Sequence, residues 1–263
     1  MKKVFAVFLI LQLSVAFAQE KRVGVRLPDS IAFHADAFVG KDIFGAWYFI
    51  EDNTLFKKTR SKILSYKNPA LGKISRTDLQ NPLKIMLFYE SFNTIVLIDN
   101  QLNEIQKIIL SDNAIPIVAV AAGLASGNRV WIYNGQAQQI GLLDYLKMEY
   151  KPITTTFKGN VKYYDSDFNY FQWVDEKFDW YHCDVYGKVS LVGKIPDYDG
   201  LQLLSGDSLI YKKNNQLYYF TFDGNKTTLI DFDEKTFESF SYKDQILSIF
   251  TRHGITNYKI ILP

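Results

Sequence analysis

Few residues of this chain have the types and spacing that covalent or metal-dependent chemistry requires. His182 and Cys183 are adjacent, and a histidine beside a cysteine is the pair that activates a thiolate nucleophile. Successive side chains of an extended strand point to opposite faces, however, so these two should diverge. The other histidines are His34 and His253, and a three-histidine metal site would need all of them to converge. We therefore predict no catalytic residue, no metal site and no cofactor, and a buried structural role for Cys183.

Acidic residues form two sets that deserve comparison with known metal sites. Three D-x-D segments could each bring two carboxylates near a calcium ion, but none continues into the glycine-centred loop and closing glutamate of an EF-hand. They are Asp165–Asp167, Asp197–Asp199 and Asp231–Asp233, and solvated connecting loops are the favoured interpretation. The second set follows apolar strands and could gather on one face of a ring: Glu51, Asp52, Glu90, Asp175 and Glu176. If such acids held a metal in a central funnel, the protein would be a hydrolase or a lactonase-like enzyme.

Two other groups of residues favour a binding surface. Tyrosine and tryptophan are enriched at the energetic centres of protein interfaces. An aromatic group lies within one short stretch, and a basic pair lies in a later turn. The predicted binding residues are Trp173, Phe178, Trp180, Tyr181, Arg252 and His253. The competing interpretation of the aromatic residues is that they fill space between sheets, whereas exposed coplanar rings would indicate a glycan-binding protein.

Composition excludes several classes of protein. Of the 263 residues 48% are hydrophobic, which is too many for a disordered chain. The single cysteine excludes a disulfide scaffold and a cysteine-ligated zinc or iron–sulfur centre. A formal net charge of +2 does not indicate a nucleic-acid partner, and we predict none. The 20 phenylalanines and 17 tyrosines favour β structure.

The first 18 residues have the organisation of a secretory signal peptide. A basic start is followed by an apolar run from Val4 to Phe17, and Ala16-Phe17-Ala18 fits the small-residue cleavage rule. The run is too short to span a bilayer comfortably. We predict cleavage after residue 18 and a periplasmic or extracellular location. The mature chain, residues 19–263, would form one domain and carry no net charge, because cleavage removes two lysines.

A repeat of roughly 40 residues organises the mature chain. Each period has an apolar anchor strand, a turn, and further short strands, which makes four strands in the length of one propeller blade. The anchor strands are Ala46–Ile50, Ile85–Tyr89, Arg129–Tyr133, Tyr170–Val174, Asp207–Tyr211 and Ile246–Phe250. The spacing predicts an all-β, six-bladed β-propeller, with an irregular β-sandwich as the alternative. A further short strand should precede each anchor strand, as at Gly72–Ser75 before Ile85–Tyr89. Ile115–Ala125 should be a buried strand, and only Ile140–Tyr150 could hold a turn of helix.

The chain ends also predict how the ring closes. The last period reaches Pro263 after its third strand, so its fourth strand is missing. Near the mature N-terminus, Arg22–Leu27 is a strand candidate that belongs to no period. Because an open ring would leave a sheet edge unpaired, we expect this segment to pair with the last blade.

One stretch of about thirty residues resembles a secreted propeller family of the Bacteroidota. It runs through Leu71-Gly72-Lys73-Ile74, Asn81-Pro82-Leu83-Lys84-Ile85, Phe88-Tyr89 and Phe92-Asn93-Thr94 to Leu97-Ile98-Asp99-Asn100. The resemblance suggests a relationship to the plug subunit of the type IX secretion translocon, which implies a position at the periplasmic side of an outer-membrane pore. No functional residue is carried over from that family.

Together these observations predict a non-enzymatic periplasmic interaction module that docks on a protein partner. The resemblance implies that this partner belongs to an outer-membrane secretion or assembly complex, with the propeller peripheral to the membrane at most. The enzyme with acids in its funnel and the glycan-binding propeller are the alternatives.

Overall fold

A computed structural model describes residues 21–23, 25–27, 31–32, 34–113, 115, 117–157, 159–204 and 206–262. The predicted signal peptide, residues 1–18, lies outside the described residues. Within them the regular structure is almost entirely strand, with short 3₁₀ turns at Pro69–Leu71, Glu90–Phe92, Leu110–Asp112 and Asp223–Asn225. In this part of the chain no helix is both long and apolar enough to cross a membrane.

The strands form six sheets that follow one another in the chain, and the protein is an all-β, six-bladed propeller as the repeat predicted. Three short strands come first: β1 (Lys21–Val23), β2 (Val25–Arg26) and β3 (Ile31–Ala32). Blade I contains β4 (Ala37–Lys41), β5 (Trp47–Glu51), β6 (Thr54–Lys58) and β7 (Ile63–Tyr66). Blade II contains β8 (Arg76–Asp78), β9 (Ile85–Tyr89), β10 (Thr94–Ile98) and β11 (Glu104–Ile109). Blade III contains β12 (Ala119–Ala125), β13 (Arg129–Asn134), β14 (Gln139–Asp144) and β15 (Glu149–Pro152).

The second half of the ring repeats this arrangement. Blade IV contains β16 (Val161–Ser166), β17 (Tyr170–Asp175), β18 (Asp179–Asp184) and β19 (Val189–Lys194). Blade V contains β20 (Gly200–Leu203), β21 (Ser208–Lys213), β22 (Gln216–Thr221) and β23 (Lys226–Asp231). Blade VI contains β24 (Ser239–Lys243), β25 (Ile246–Thr251) and β26 (Gly254–Lys259). The first strand of each blade is the innermost, since these strands contact one another between blades.

Antiparallel pairing in chain order gives the ring two faces. The turns after the first and third strands of every blade lie on one side, which we call the lower face. The turns after the second strands and the connections between blades lie on the other side, the upper face. The central strands are buried on both of their faces because each blade packs between two others, and every residue of β9 and β10 is buried.

The N-terminal segment closes the ring, as predicted. Strand β2 pairs antiparallel with β26, with Val25 opposite Lys259, and the Leu27 N–H donates to the Asn257 carbonyl over 2.8 Å. Strand β3 pairs with the other end of β26 and completes the outer edge of blade VI. The structure adds a contact that the sequence did not predict, because β1 pairs in parallel with β23 of blade V. The N-terminal segment therefore ties two blades together.

Two sequence expectations about local structure were wrong. The stretch Ile140–Tyr150 holds no helical turn; it forms parts of β14 and β15, joined by a turn in which the Asp144 carboxylate accepts the N–H groups of Leu146 and Lys147 at 3.0 Å each. The segment expected to be the inner strand of blade II, residues 72–75, is a connection, because Gly72 has a φ of 65° and the strand begins at Arg76. The buried strand predicted within Ile115–Ala125 is confirmed as β12.

On the upper face, two asparagines in the left-handed conformation link successive blades through side-chain hydrogen bonds. Asn53 (φ 56°) donates its amide to the Gly72 carbonyl and accepts the Ile74 N–H at 2.9 Å, which holds the segment entering blade II. Asn93 (φ 46°) does the same one blade later, donating to the Ile117 carbonyl at 2.6 Å and accepting the Ala119 N–H at 2.9 Å. Asparagine suits this position because it tolerates positive φ and its amide both donates and accepts.

Candidate functional site

The centre of the ring contains a polar cavity of about 490 Å³ that opens toward the lower face. Residues at the ends of the inner strands of blades I, II, IV and VI line it, among them Ile43, Asp78, Ser166 and Lys243. A second cavity of about 800 Å³ opens between blades I and II on the upper face. Both cavities are lined by Val39, Arg76 and Thr77, so these residues form the boundary between them.

Arg76 joins blade II to blade IV at this boundary. Its Nη2 donates to Asp165 Oδ1 at 2.5 Å, its Nη1 donates to the Tyr164 carbonyl at 3.2 Å, and the guanidinium carbon lies 4.6 Å from the centre of the Tyr164 ring. The charge of Asp165 raises the pKa of Arg76, although burial acts in the opposite direction as the largest influence. The guanidinium therefore remains charged and is held in one orientation by a carboxylate, a carbonyl and a ring.

Asp78 lies two residues further along the same strand and is almost completely buried. Its carboxylate accepts the Gln80 N–H at 2.9 Å, the Leu124 N–H at 2.8 Å and the Gln80 side-chain amide at 3.1 Å. Burial raises the pKa of Asp78, and the positive charge of Arg76 is the largest opposing influence. Gln80 also donates to the Ser166 carbonyl at 2.7 Å. The Asp78 carboxylate thus joins blade II to blade III, and Gln80 extends the network to blade IV.

The small residues of β12 permit this contact between blades that are not neighbours. A Cβ atom on Gly123 would lie 1.9 Å from Ser166 Oγ and 3.6 Å from Asp78 Oδ2. Ala121 and Ala122 are completely buried beside it. Because this strand presents almost no side-chain volume, Arg76 and Tyr164 can meet over it. The small-residue composition that the sequence showed therefore creates the polar boundary in the channel.

The acidic residues that follow the anchor strands do not form this site. Glu51, Asp52, Glu90, Asp175 and Glu176 are absent from the lining of the central cavity, which contains Asp42, Asp78, Asp165 and Asp244. Among the described residues no group of three or more His, Cys, Asp or Glu side chains is placed to hold a metal ion. The funnel of metal-binding acids that the enzyme alternative requires is therefore not seen in this part of the chain.

The D-x-D segments have structural partners. Asp165 pairs with Arg76, and Asp167 accepts the Asn169 and Tyr170 N–H groups at 2.7 Å each, which shapes the turn between β16 and β17. Asp197 and Asp199 both approach Lys213 Nζ, at 2.6 and 3.6 Å. Asp197 and Asp199 lie in the connection before β20, as predicted, whereas Asp165 belongs to β16 and Asp231 ends β23, so the loop interpretation is wrong for those two residues.

His182 and Cys183 diverge as alternation predicted. Cys183 is completely buried, whereas the His182 ring is half-buried beside the Tyr170 ring at 5.4 Å. Burial raises the pKa of the Cys183 thiol to about 12, and the charge of Asp184 adds to the rise. The thiol is protonated at neutral pH and has a structural role.

The predicted aromatic binding residues lie in blade IV with very different exposures. Trp173 and Trp180 are only 3% and 0% exposed. Trp173 stacks on Tyr181 with 5.2 Å between ring centres and on Phe157 with 5.1 Å, which fills the space between blades III and IV. A binding role for this group stays a prediction. Because both tryptophans are buried, only Phe178 and Tyr181 are accessible to a partner. Lys162 Nζ lies 3.9 Å from the centre of the Phe178 ring.

Arg252 and His253 are brought to the upper face, in the turn between β25 and β26. They line a cavity of about 620 Å³ together with Glu234 and Glu238. Arg252 Nε lies 3.3 Å from Glu238 Oε1, and its side chain is 87% exposed. The lining of that cavity includes none of the blade IV aromatics, and whether either group binds a partner stays a prediction.

The most distinctive surface was not predicted from the sequence. On the lower face, large apolar side chains project from turns of five of the six described blades. They are Ile43, Phe44, Leu83, Leu146, Met148, Phe168, Tyr186 and Ile261. The upper turns and connections described expose fewer such side chains: Phe92, Ile115 and Val118. We call the first set the lower apolar cluster.

Local hydrogen bonds fix the turn that directs the blade I members of this cluster toward solvent. Asp42 is buried and accepts the N–H groups of Phe44 and Ala46 at 2.9 Å each and the Tyr48 hydroxyl at 3.0 Å. The turn therefore folds round its carboxylate and directs Ile43 and Phe44 outward, where they are 69% and 68% exposed. Burial, and then Asp42, raise the pKa of Tyr48, so its hydroxyl stays a donor. The signal in the sequence was an apolar pair between an aspartate and a glycine directly before an anchor strand.

Adjacent members of the cluster are linked between blades. Lys84 Nζ donates to the Tyr145 hydroxyl at 2.8 Å, so the turn bearing Leu83 in blade II lies beside the turn bearing Leu146 in blade III. Ile43 lines the mouth of the central cavity together with Leu79 and Gln80, which begin the turn that carries Leu83. The apolar tips of blades I, II and III thus follow one another round the mouth of the channel.

Comparison with known proteins identifies the fold and no family. No family model matches the chain, and no curated protein matches it. Virginiamycin B lyase from Staphylococcus aureus is similar with a TM-score of 0.58 and 13% identity, over 90% of this chain and 82% of the lyase chain. A catalytically inactive histidine-to-alanine variant of that lyase with quinupristin gives a TM-score of 0.55 at 16% identity, over 89% and 83% of the two chains.

A further similar structure is the extracellular domain of the putative one-component system BT4673 from B. thetaiotaomicron. Its TM-score is 0.51 at 13% identity, and the match covers 91% of this chain but 40% of that chain. At such low identities these likenesses establish the propeller fold alone.

Proposed function

We propose that this protein is a non-enzymatic propeller that docks on a protein partner through its lower face. The observation that carries the proposal is the lower apolar cluster, which gathers large exposed side chains on one face while the opposite face has few. Contiguous exposed apolar surface on a soluble domain marks a site of interaction, because burying it against a partner is favourable.

The organisation of the channel supports binding over catalysis. Arg76 and Asp165 bond to each other between blades II and IV, and Asp78 bonds to blade III, so these charged groups hold the ring together. No group of three or more His, Cys, Asp or Glu side chains among the described residues is placed to hold a metal ion. These points favour a binding module, and the hydrolase and the glycan-binding propeller remain the alternatives.

The location and the kind of partner follow from the sequence. A cleaved signal peptide would deliver the mature chain to the periplasm, and the resemblance to secreted Bacteroidota propellers suggests a partner within an outer-membrane secretion or assembly complex. The absence of net charge on the mature chain fits docking through apolar contacts supported by local charge pairs.

Site-specific photo-crosslinking in the native cell envelope tests the proposal. A photoreactive phenylalanine analogue replaces Phe44 or Leu146 on the lower face, and Ile115 on the upper face as a matched control of similar character. We expect one defined protein adduct from both lower positions and none from Ile115. The proposal fails if the lower positions give no adduct, or if only the upper position gives one.

A further inference from the structure

The outer edges of the six blades differ in whether another strand covers them. In blade V, β1 pairs with β23 over three residues, and in blade VI, β2 and β3 pair with β26. Among the described residues, the outermost strands of blades I to IV, which are β7, β11, β15 and β19, pair only with the strand inside them. An open edge presents unpaired N–H and C=O groups to which a further extended segment can bind. The chain already uses this mode of binding at two of its own edges.

Antiparallel pairing determines which backbone groups of β19 face away from the sheet. Hydrogen-bonded pairs alternate along such a ladder with pairs that are not hydrogen-bonded. The Asp184 N–H donates to the Lys188 carbonyl at 3.2 Å, so this pair is hydrogen-bonded. In the register that follows, Val189 and Leu191 belong to pairs that are not hydrogen-bonded to β18. The N–H and C=O groups of these two residues therefore point outward, away from the sheet.

The same alternation shows that the other open edges are less suited to binding a strand. Their outward-facing residues are Ile63 and Ser65 in β7, Lys107 and Ile109 in β11, and Tyr150 and Pro152 in β15. The charge of Lys107 is exposed, and Pro152 has no N–H to donate. Strand β7 has four residues, and one of its outward-facing residues is a serine. Of these four edges as described, that of β19 alone presents two exposed apolar residues, each with an outward N–H and C=O.

Two rows of apolar side chains cross blade IV and end at this edge. One row runs from Trp173 through Tyr181 to Leu191, and the other from Phe171 through Cys183 to Val189. The members of both rows on β17 are buried, whereas Val189 and Leu191 are 41% and 59% exposed. A strand paired with β19 would add one side chain to the end of each row, two residues apart. Apolar side chains suit both positions, because their cross-strand neighbours would be Val189 and Leu191.

The regular part of this edge is short. The register of β18 and β19 shifts between Trp180 and Tyr181, so the regular ladder ends just beyond Leu191. The outward N–H and C=O groups of Val189 and Leu191 would pair with an extended segment of about three residues. Strand β1 binds β23 over three residues, so the ring already holds a segment of that length on an equivalent edge.

We propose that the outer edge of blade IV binds an extended segment of another protein, which pairs with β19 and places apolar side chains at alternate positions beside Val189 and Leu191. Backbone hydrogen bonds hold the segment in its extended form, and the ends of the two apolar rows select its sequence. The site uses no residue of the lower apolar cluster, so it is a second binding surface and does not depend on the docking proposed above.

A display library of random twelve-residue peptides, selected on the purified mature chain, residues 19–263, tests the proposal. We expect the selected peptides to share apolar residues at alternate positions. A synthetic peptide of selected sequence should slow amide hydrogen exchange at Val189 and Leu191, because their outward N–H groups become paired, and should leave Lys107 and Ile109 unchanged. The proposal is overturned if no such peptide is enriched, or if the enriched peptides leave exchange in β19 unaltered.

Proline at an outward position separates strand addition from other contacts. Leu191→Pro removes an outward N–H and retains the bonds to β18, which alternate residues make, so peptide affinity should fall by about tenfold or more. Ile109→Pro on the edge of β11 is the matched control, since its φ of −89° is near the value that proline requires, and affinity should not change. Leu191→Lys, which places a charge on the edge, is a second variant, and thermal unfolding verifies that each chain is folded. Peptides that bind Leu191→Pro and Leu191→Lys as tightly as wild type refute the site.

A second copy of the chain is the other occupant that these variants would reveal. If the purified chain is a dimer by light scattering and Leu191→Pro makes it a monomer, β19 pairs with its own copy, and the proposed occupant is wrong. A wild-type chain that is monomeric and binds the selected peptides through β19 supports the proposal. Neither result changes the crosslinking expected from Phe44 and Leu146, so this inference and the proposed function can fail separately.

Discussion

Arg76 and Asp165 form an ion pair that spans the inner strand of blade III, with 2.5 Å between Nη2 and Oδ1. Neither residue belongs to blade III; they come from its two neighbours, and the small residues of β12 allow them to meet. The pair makes three consecutive blades depend on one another at the channel. In a propeller, where blades otherwise contact only their neighbours, such a link should increase the cooperativity of unfolding.

Replacing Arg76 by methionine should therefore lower the free energy of unfolding by about 1–3 kcal/mol, because Asp165 and the Tyr164 carbonyl lose a charged donor. Urea unfolding followed by tryptophan fluorescence measures the change. Asp165→Asn and the double variant complete a double-mutant cycle, and a positive coupling energy is expected. Strictly additive effects would show that the ion pair contributes nothing of its own.

Asp78 should make stability depend on pH. Burial raises its pKa in the folded state above the ordinary value of 3.8, so the native protein binds this proton more tightly than the unfolded chain. Its stabilising contribution is then complete below the unfolded pKa and is lost as the pH rises through the folded pKa. The difference in unfolding free energy between wild type and Asp78→Asn should fall across that interval and be constant above it.

Asp99 provides a control for which the pH dependence of stability should have the opposite sign. The N–H and side-chain amide of Asn103 lower the pKa of Asp99, so its contribution is present above the unfolded pKa and is lost as the pH falls. Asp99→Asn should therefore give a pH dependence of the reverse direction, with a small amplitude because this turn is exposed to solvent. If the Asp78 and Asp99 variants changed with pH in the same direction, the assignment for Asp78 would be wrong.

Cys183 should be unreactive in the folded protein. Burial raises its pKa to about 12, so at pH 8 the thiolate that attacks disulfide reagents is nearly absent, and the completely buried sulfur is also inaccessible. We expect Ellman's reagent to label the native chain only as fast as the protein opens, and to label it at once in urea. Ser61→Cys, at an exposed turn, is the positive control. Immediate labelling of native Cys183 would contradict its burial.

Removing residues 19–28 should destabilise the ring sharply. The truncation deletes β1 and β2 and leaves the outer edges of blades V and VI without these partners. A loss on the order of 3 kcal/mol would lower the melting temperature by roughly 6–12 °C. Val25→Ala is the control, because its side chain is 66% exposed and its backbone pairing is retained. A truncated chain that melts within a degree of the full mature chain would mean that the closure contributes little to stability.

The fold was predictable because every blade repeats the same sequence pattern. The anchor strand predicted at Ile85–Tyr89 is observed with the same bounds, and the one predicted at Tyr170–Val174 is longer by one residue. An apolar run followed by a turn residue is sufficient to locate such strands. The inner strand of blade II could not be located in the same way, because Arg76–Asp78 is polar and its charged side chains bond to residues of blades III and IV.

The surface was harder to predict than the fold. Trp173 and Trp180 were chosen because they are aromatic, and residue type cannot distinguish a ring packed between blades from a ring that faces solvent. Ile43 and Phe44 lie in a turn, and turns lack the regular alternation that predicts whether an apolar side chain is buried. That these residues share a face with Leu146 is evident only once the blades are arranged in a ring.

Gly123 offers the most direct test of the contact between blades II, III and IV. Its backbone conformation is one that alanine can adopt, so substitution should act only through the added Cβ, which would lie 1.9 Å from Ser166 Oγ and 3.0 Å from Ser166 Cβ. Gly123→Ala should therefore lower the free energy of unfolding by about 1–3 kcal/mol, as overpacking of a tight core does.

A compensating substitution distinguishes this clash from other causes. Ser166→Gly removes both atoms that the new Cβ would meet, so Gly123→Ala/Ser166→Gly should recover most of the stability that Gly123→Ala loses. Ser166→Ala alone should be close to neutral, because the buried Oγ has no hydrogen-bond partner among the described residues. Urea unfolding of the four chains gives the comparison. If the double variant is less stable than Gly123→Ala, the loss of stability does not arise from the contact with Ser166. The small residues of β12 would then not be the reason that blades II and IV can meet.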